Sequence, residues 1–216
     1  MNKIKLWDNQ HDLSILCIGA HSDDIEIGCG GSILRILDEY PAVDIYWVVF
    51  SANQKRKQEA IESAHAFLKK ARSKKIIIKD FRDSFFPYIG SNIKDYFKQL
   101  QKDWNGNLIF THYLYDLHQD HRLLSEMTWN TFRDHLILEY EIPKWDGDLD
   151  RPNFYFDLKK KQVEEKVSII ANVFKTQTKR DWFNSETFTS LMRIRGVESR
   201  SKSKHAEAFH LRKGVF

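Results

Sequence analysis

Apolar positions along this chain follow two alternating rhythms. Continuous apolar runs at residues 13–20, 43–50, 75–78 and 107–111, the second rich in β-branched and aromatic side chains, predict buried strands. Between them the apolar positions return every three to four residues. Ile33, Leu34, Ile36 and Leu37 give a helix over 32–39, after a glycine turn and stopped by Pro41. Ala60, Ile61, Ala64, Phe67 and Leu68 give one over 55–70, and Ile93, Tyr96, Phe97 and Leu100 one over 92–104. A further helix is expected at 123–132, with Asp120 near enough to its start to cap it. A strand at 135–142 ended by Pro143, an edge strand at 153–157 and helices at 158–174 and 185–194 complete the pattern. Four βα units in succession, with no repeat and no low-complexity linker, predict an α/β chain. The expected fold is a three-layer α/β/α, Rossmann-like sandwich with a mainly parallel sheet, in one domain over 1–216.

Two of the expected strands end in polar clusters. Ala20-His21-Ser22-Asp23-Asp24 follows the first, and His118-Gln119-Asp120-His121 follows the fourth. Open α/β sheets build their sites at the carboxyl ends of strands. Two histidines and one carboxylate meeting there make a three-ligand site with a free position for water, the pattern of a catalytic zinc. The carboxylate left over, Asp23 or Asp24, is then a candidate base. The glycines that follow do not form a dinucleotide fingerprint: Gly28, Gly30 and Gly31 are followed by Ile33 where a third glycine is needed, and no phosphate-loop Gly-Lys-Ser/Thr is present.

Composition narrows the class. With 216 residues, 42% hydrophobic and 30% charged, the chain is an ordinary globular one, and no apolar run approaches the ~20 residues of a membrane span. The polar start, residues 1–12, lacks the features of a signal peptide, so a cytoplasmic location is expected. Cys17 and Cys29 are expected to pack as small core residues. The overall charge of +4 is uneven: from Arg151 to Phe216, 15 Lys and Arg stand against 7 Asp and Glu, a balance of +8. Such a segment suits an anionic substrate and is expected to face the mouth of the site. No zinc knuckle, RNP-like stretch or Arg-rich arm points to nucleic acid.

The motifs together resemble the PIG-L/LmbE-like zinc-dependent deacetylases. Ala20-His21-Ser22-Asp23-Asp24 with Gly28-Cys29-Gly30-Gly31 is similar to that family's A-H-P-D-D segment and glycine turn, with Ser22 in place of proline. Arg56-Lys57-Gln58-Glu59-Ala60 is similar to R-x-x-E-A, and Thr111-His112 through Asp116-Leu117-His118-Gln119-Asp120-His121-Arg122 to H-x-x-x-D-x-H-x-D-H-R. Arg195-Gly196 with Ala206-Glu207-Ala208-Phe209 is similar to its R-x-G and A-E-A-F end. Asp116 stands where some members carry a helper tyrosine.

The resemblance implies an LmbE-like fold, with His21, Asp24 and His121 as metal ligands. It implies Asp23 as general base and His118 as oxyanion stabiliser or acid, with Asp120 orienting and charging its imidazole. Arg56, Arg195 and Glu207 are implied as substrate-binding residues. The implied cofactor is zinc, with iron or cobalt accepted by the same donors. The implied reaction removes an N-acetyl group from an amino sugar or its conjugate, including a nucleotide-linked one, and the sequence leaves room for a homo-oligomer. The alternatives are hydrolysis of another small amide conjugate and a non-enzymatic metal-binding domain.

Overall fold

The structure, a computed structural model, describes residues 12–215. The polar start of the chain read above lies outside them except for Asp12. The elements in order are β1 (Leu13–Gly19), α1 (Asp24–Glu39), β2 (Val43–Val49), α2 (Gln54–Phe67), β3 (Ser73–Ile78), α3 (Gly90–Asp103), β4 (Leu108–His112) and α4 (Gln119–Thr131). They continue with β5 (Leu136–Tyr140), β6 (Phe154–Asp157), α5 (Lys160–Val173), α6 (Ser185–Glu198) and β7 (Ala206–His210).

The seven strands form one sheet in the order β3-β2-β1-β4-β5-β7-β6. β1 to β5 are parallel, and β7 runs antiparallel to both β5 and β6. β1 lies between β2 and β4, so the chain leaves it toward one edge and later returns on its other side. That reversal opens a crevice at the carboxyl ends of β1 and β4, where loops part in opposite directions.

The apolar run of β1 explains its central place, because both its faces are covered. Ile15 and Cys17 join the core under α1 and α5, with Phe67, Tyr140 and Phe209. Leu16 and Ile18 join the core on the opposite face, with Phe97, Leu100, Leu124 and Phe132. Among the described residues no helix is long and apolar enough to cross a membrane.

Two expectations are corrected here. The first helix begins at Asp24, eight residues before the position expected, and the glycines taken for a turn lie inside it, buried. They are there because α1 presses close against its neighbours. A side chain at Gly28 would run into the Tyr140 ring, and a Cβ at Gly31 would come within 2.7 Å of Leu158. The second correction is β7, which no apolar pattern announced. The last helix also runs four residues beyond its expected end, to Glu198.

Candidate metal and active site

The crevice between β1 and β4 brings together His21, Asp24, His118, Asp120 and His121 from the two polar clusters. His21 lies in the short turn after β1, and Asp24 opens α1, its Oδ2 accepting the His21 backbone N–H at 2.7 Å. That bond closes the turn and places a carboxylate in the first turn of a helix, where the dipole favours it. His121 arrives from the first turn of α4, on the β4 side.

Three donor atoms converge. His21 Nδ1 lies 3.2 Å from His121 Nε2. Asp24 Oδ2 lies 3.4 Å from His21 Nδ1 and 3.5 Å from His121 Nε2. Ligands at the usual zinc distances in a tetrahedron stand about 3.4 Å apart, so the triangle has the edge a metal requires. Two ring nitrogens directed at each other also need a shared cation or proton between them. The residues present therefore fit a divalent ion.

The surrounding groups hold these donors in place. His121 Nδ1 lies 2.9 Å from Asp116 Oδ2, an arrangement in which a carboxylate fixes the ring so that Nε2 faces inward. Asp116 also accepts the His118 backbone N–H at 2.8 Å and lies 3.1 Å from Lys144 Nζ. Burial resists its charge, but His121 and Lys144 hold its carboxyl well below the usual range. Burial together with His112 pushes the His121 imidazole down to about 3, in the direction of the neutral form that ligation needs. On the other ring, His21 Nε2 lies 3.1 Å from Asp83 Oδ1 and 3.4 Å from Asp120 Oδ2.

His112, at the end of β4, stacks on His121 with centroids 3.9 Å apart. Its Nε2 accepts the Ala20 N–H at 2.9 Å and lies 3.3 Å from Asp24 Oδ2. With that lone pair engaged by Ala20, His112 backs the site, and with Asp24 and His121 it forms a second group close enough to share an ion. Neither His112, Asp116 nor Asp83 was assigned a role from the sequence. His112 and Asp116 stood in the motif already quoted. Asp83 comes from the loop after β3 and carried no sequence signal.

Asp23 faces a different partner. Its Oδ1 accepts a hydrogen bond from Arg56 Nη2 at 2.7 Å. Burial raises its carboxyl above the ordinary value, with Arg56 opposing. Arg56 reaches it from the first turn of α2, whose start Asn53 caps by accepting the Arg56 N–H.

His118 caps α4, and its Nδ1 accepts the Asp120 backbone N–H at 3.2 Å. Burial and the nearby His21 push its imidazole below the ordinary histidine value. With Nδ1 accepting, the neutral ring carries its proton on Nε2. This corrects the expectation that Asp120 caps the helix; Asp120 does favour charge on His118, but burial and His21 oppose it. The fully buried Asp120 carboxylate turns instead to the loop after β3, accepting the N–H of Ser84 at 2.7 Å and of Phe86 at 3.1 Å. A buried carboxylate needs such donors, and two backbone amides supply them.

Arg195 and Glu207 are not brought to this cluster. Arg195 is buried, its Nη2 and Nε bonding Glu141 at 2.5 and 2.9 Å and its Nη1 bonding Glu198 at 2.9 Å. Glu207 accepts from Gly31 N–H (2.8 Å), Ser32 N–H (2.6 Å) and Lys166 Nζ (2.6 Å). Both charges are fully engaged inside the protein, locking α6 and β7 onto the body of the fold.

The architecture has solved counterparts. The conserved protein TT1542 from Thermus thermophilus is 16% identical, with 94% of this chain and 96% of that one covered and a TM-score of 0.74. The N,N'-diacetylchitobiose deacetylase from Pyrococcus horikoshii, solved with an inhibitor, is 19% identical over 95% and 87%, with a TM-score of 0.68. GalB, the 4-carboxy-2-hydroxymuconate hydratase from Pseudomonas putida, is 16% identical over 94% and 98%, with a TM-score of 0.70. A comparison with curated protein sequences gives no significant match. Residues 16–132, more than half of the chain and the part that carries both polar clusters, match the family model described as PIG-L: GlcNAc-PI de-N-acetylase, and the chain belongs to that family.

Proposed function

We propose that this protein is a metal-dependent N-deacetylase that hydrolyses the N-acetyl group of an amino sugar or sugar conjugate to acetate and a free amine. The observation that carries this reading is the convergence of His21 Nδ1, Asp24 Oδ2 and His121 Nε2 beside a carboxylate, Asp23, that takes no part in the triangle. These three residues would hold the ion, zinc by donor type, with iron or cobalt also accommodated. When bound, such an ion acidifies water and polarises an amide carbonyl.

The chain's own groups do the rest. Arg56 anchors Asp23 through Oδ1 and leaves Oδ2 to take the proton of the attacking water. The same carboxyl then delivers that proton to the departing nitrogen. His118, half-buried at the start of α4, offers its Nε2–H to the carbonyl oxygen as negative charge develops there. A neutral donor is sufficient for that task. Asp116, Asp83 and Asp120 hold the rings of His121 and His21 in orientation. Family membership and the deacetylase from Pyrococcus horikoshii support this reaction. The hydratase of the same fold shows that fold alone does not choose it.

The test is acetate release from N-acetylglucosamine and its glycosides by protein stripped with a chelator and then reloaded with zinc, iron or cobalt. Release that disappears on stripping and returns on reloading is expected. Reloaded protein that frees no acetate from any N-acetyl sugar would sink the proposal.

A further inference from the structure

Beside the reaction centre lies a surface that the hydrolysis does not use. Trp145, on the loop after β5, is 64% exposed, and its indole meets Trp182 edge to face with centroids 6.1 Å apart. The Arg180 guanidinium sits 5.6 Å from the first ring and 5.9 Å from the second. Asp181 Oδ1 accepts the Trp145 Nε1–H at 2.7 Å and the Trp182 N–H at 2.9 Å, which fixes both chain segments to each other. Among the described residues no carboxylate pairs with Arg180. Lys179, next to it, is exposed as well.

Two tethers set this cluster against the site. Glu59, one helical turn beyond Arg56 on α2, accepts the Thr176 N–H at 2.9 Å and its hydroxyl at 2.5 Å. Lys144, the residue before Trp145, touches Asp116, which orients His121. Asp148, on the same loop, accepts the N–H of Leu117 at 2.7 Å, directly before His118. The segment 176–182 therefore runs from the Asp23 side of the crevice to its His121 side. Tyr115 and Leu117, 68% and 57% exposed, extend the apolar rim. Indole faces take up the apolar faces of flat rings, and a guanidinium grips carboxylate or phosphate with paired hydrogen bonds.

We propose that Trp145, Trp182 and Arg180 form a second subsite, which receives the non-acetylated part of the substrate. It selects a conjugate whose ring stacks on Trp145 and whose anionic group, carboxylate or phosphorus oxyanion, pairs with Arg180. The subsite rests on the deacetylase reading and narrows its substrate class to ring-bearing, anionic sugar conjugates.

Titration calorimetry of the zinc-loaded protein with product amines, which are not turned over, tests it. The probes are methyl, phenyl, p-carboxyphenyl and p-phosphonophenyl glucosaminide, the last two separating the anion types. Phenyl is expected to bind about tenfold tighter than methyl, and an anionic group to add a factor of about five. Trp145→Ala should erase the first step and Arg180→Ala the second, while Arg180→Lys retains part of it. Circular dichroism and metal content show that each variant is folded and loaded. Equal affinity for all four probes, or a ranking unchanged in Trp145→Ala, overturns the subsite. The N-acetylated forms of the same probes then report on the reaction separately. A ranked series of affinities without acetate release upholds the subsite and overturns the deacetylase reading.

Discussion

Asp23 and Asp24 are neighbours in sequence with opposite surroundings. Burial resists the charge on Asp24, yet His121, His112 and His21 around it hold its carboxyl well below the usual range. Around Asp23, burial wins over Arg56 and raises the carboxyl. A permanently ionised group suits a ligand, and one that exchanges a proton suits a base. Asp23→Asn is therefore expected to keep its metal and lose about 10²–10⁴ in kcat, as removal of a positioned base does. Asp24→Asn should lose the metal itself, and elemental analysis beside steady-state kinetics separates the two. The converse pattern would reverse the roles. Asp116 acts one bond further out. Asp116→Asn keeps the shape and removes the charge that fixes the His121 ring, so metal affinity should fall about 10–100-fold in chelator competition. Unaltered affinity would show that Asp116 only braces the loop through the His118 N–H.

At the scale of elements, α1 shows packing overriding propensity. Three glycines in a helix cost stability relative to alanine, about 1 kcal/mol each. At Gly28 the Tyr140 ring fills the space, and that ring is anchored by its hydroxyl, which donates to Ile18 O at 2.6 Å. Gly28→Ala should gain in propensity and lose more to overpacking, for a net loss of about 1–2 kcal/mol in urea unfolding. A more stable variant would mean that Tyr140 can yield. β7 carries a pH-sensitive group at its end. His210 stacks on Tyr113, centroids 3.7 Å apart, and burial pushes its imidazole down to about 4 from an ordinary 6.5. The unfolded chain therefore takes up this proton first. The neutral ring's contribution is complete above about pH 6.5 and is lost as the pH falls toward about 4. Replacing it in His210→Gln should flatten the stability–pH curve across that window by about 1 kcal/mol. A curve of unchanged slope would assign the acid sensitivity to other groups.

Across the whole molecule, the proposed ion joins the loop after β1 to the helix after β4, on the two sides of the chain reversal. An ion that binds only the folded state stabilises it by about 2.7 kcal/mol at a hundredfold excess over its Kd. Chelation should thus lower Tm by several degrees, and zinc should restore it; a Tm indifferent to both would argue against this site. The uneven charge is a matter of the same scale. Two of the C-terminal cations, Lys166 and Arg195, are buried in ion pairs, so only part of the +8 balance reaches the surface. The sequence by itself determined the parallel part of the sheet and most of the helices, because burial on two faces writes a continuous apolar run and burial on one writes a helical period. It also determined which residues crowd the crevice, because one cluster directly follows a buried strand and the other comes in the short loop and helix start after one. Tertiary structure decided the rest. β7 pairs with strands distant in sequence and holds a buried charge, so its pattern is not that of a strand. Arg195 meets Glu141 across 54 residues, and Glu207 meets Gly31 across 176, so no local pattern could show that their charges are engaged internally. Asp83 and Asp120 reach the His21 ring, and Asp116 the His121 ring, only because the loops after β3 and β4 fold over the crevice. A motif names the donors; which acceptor each one faces is set by the packing of elements far apart along the chain.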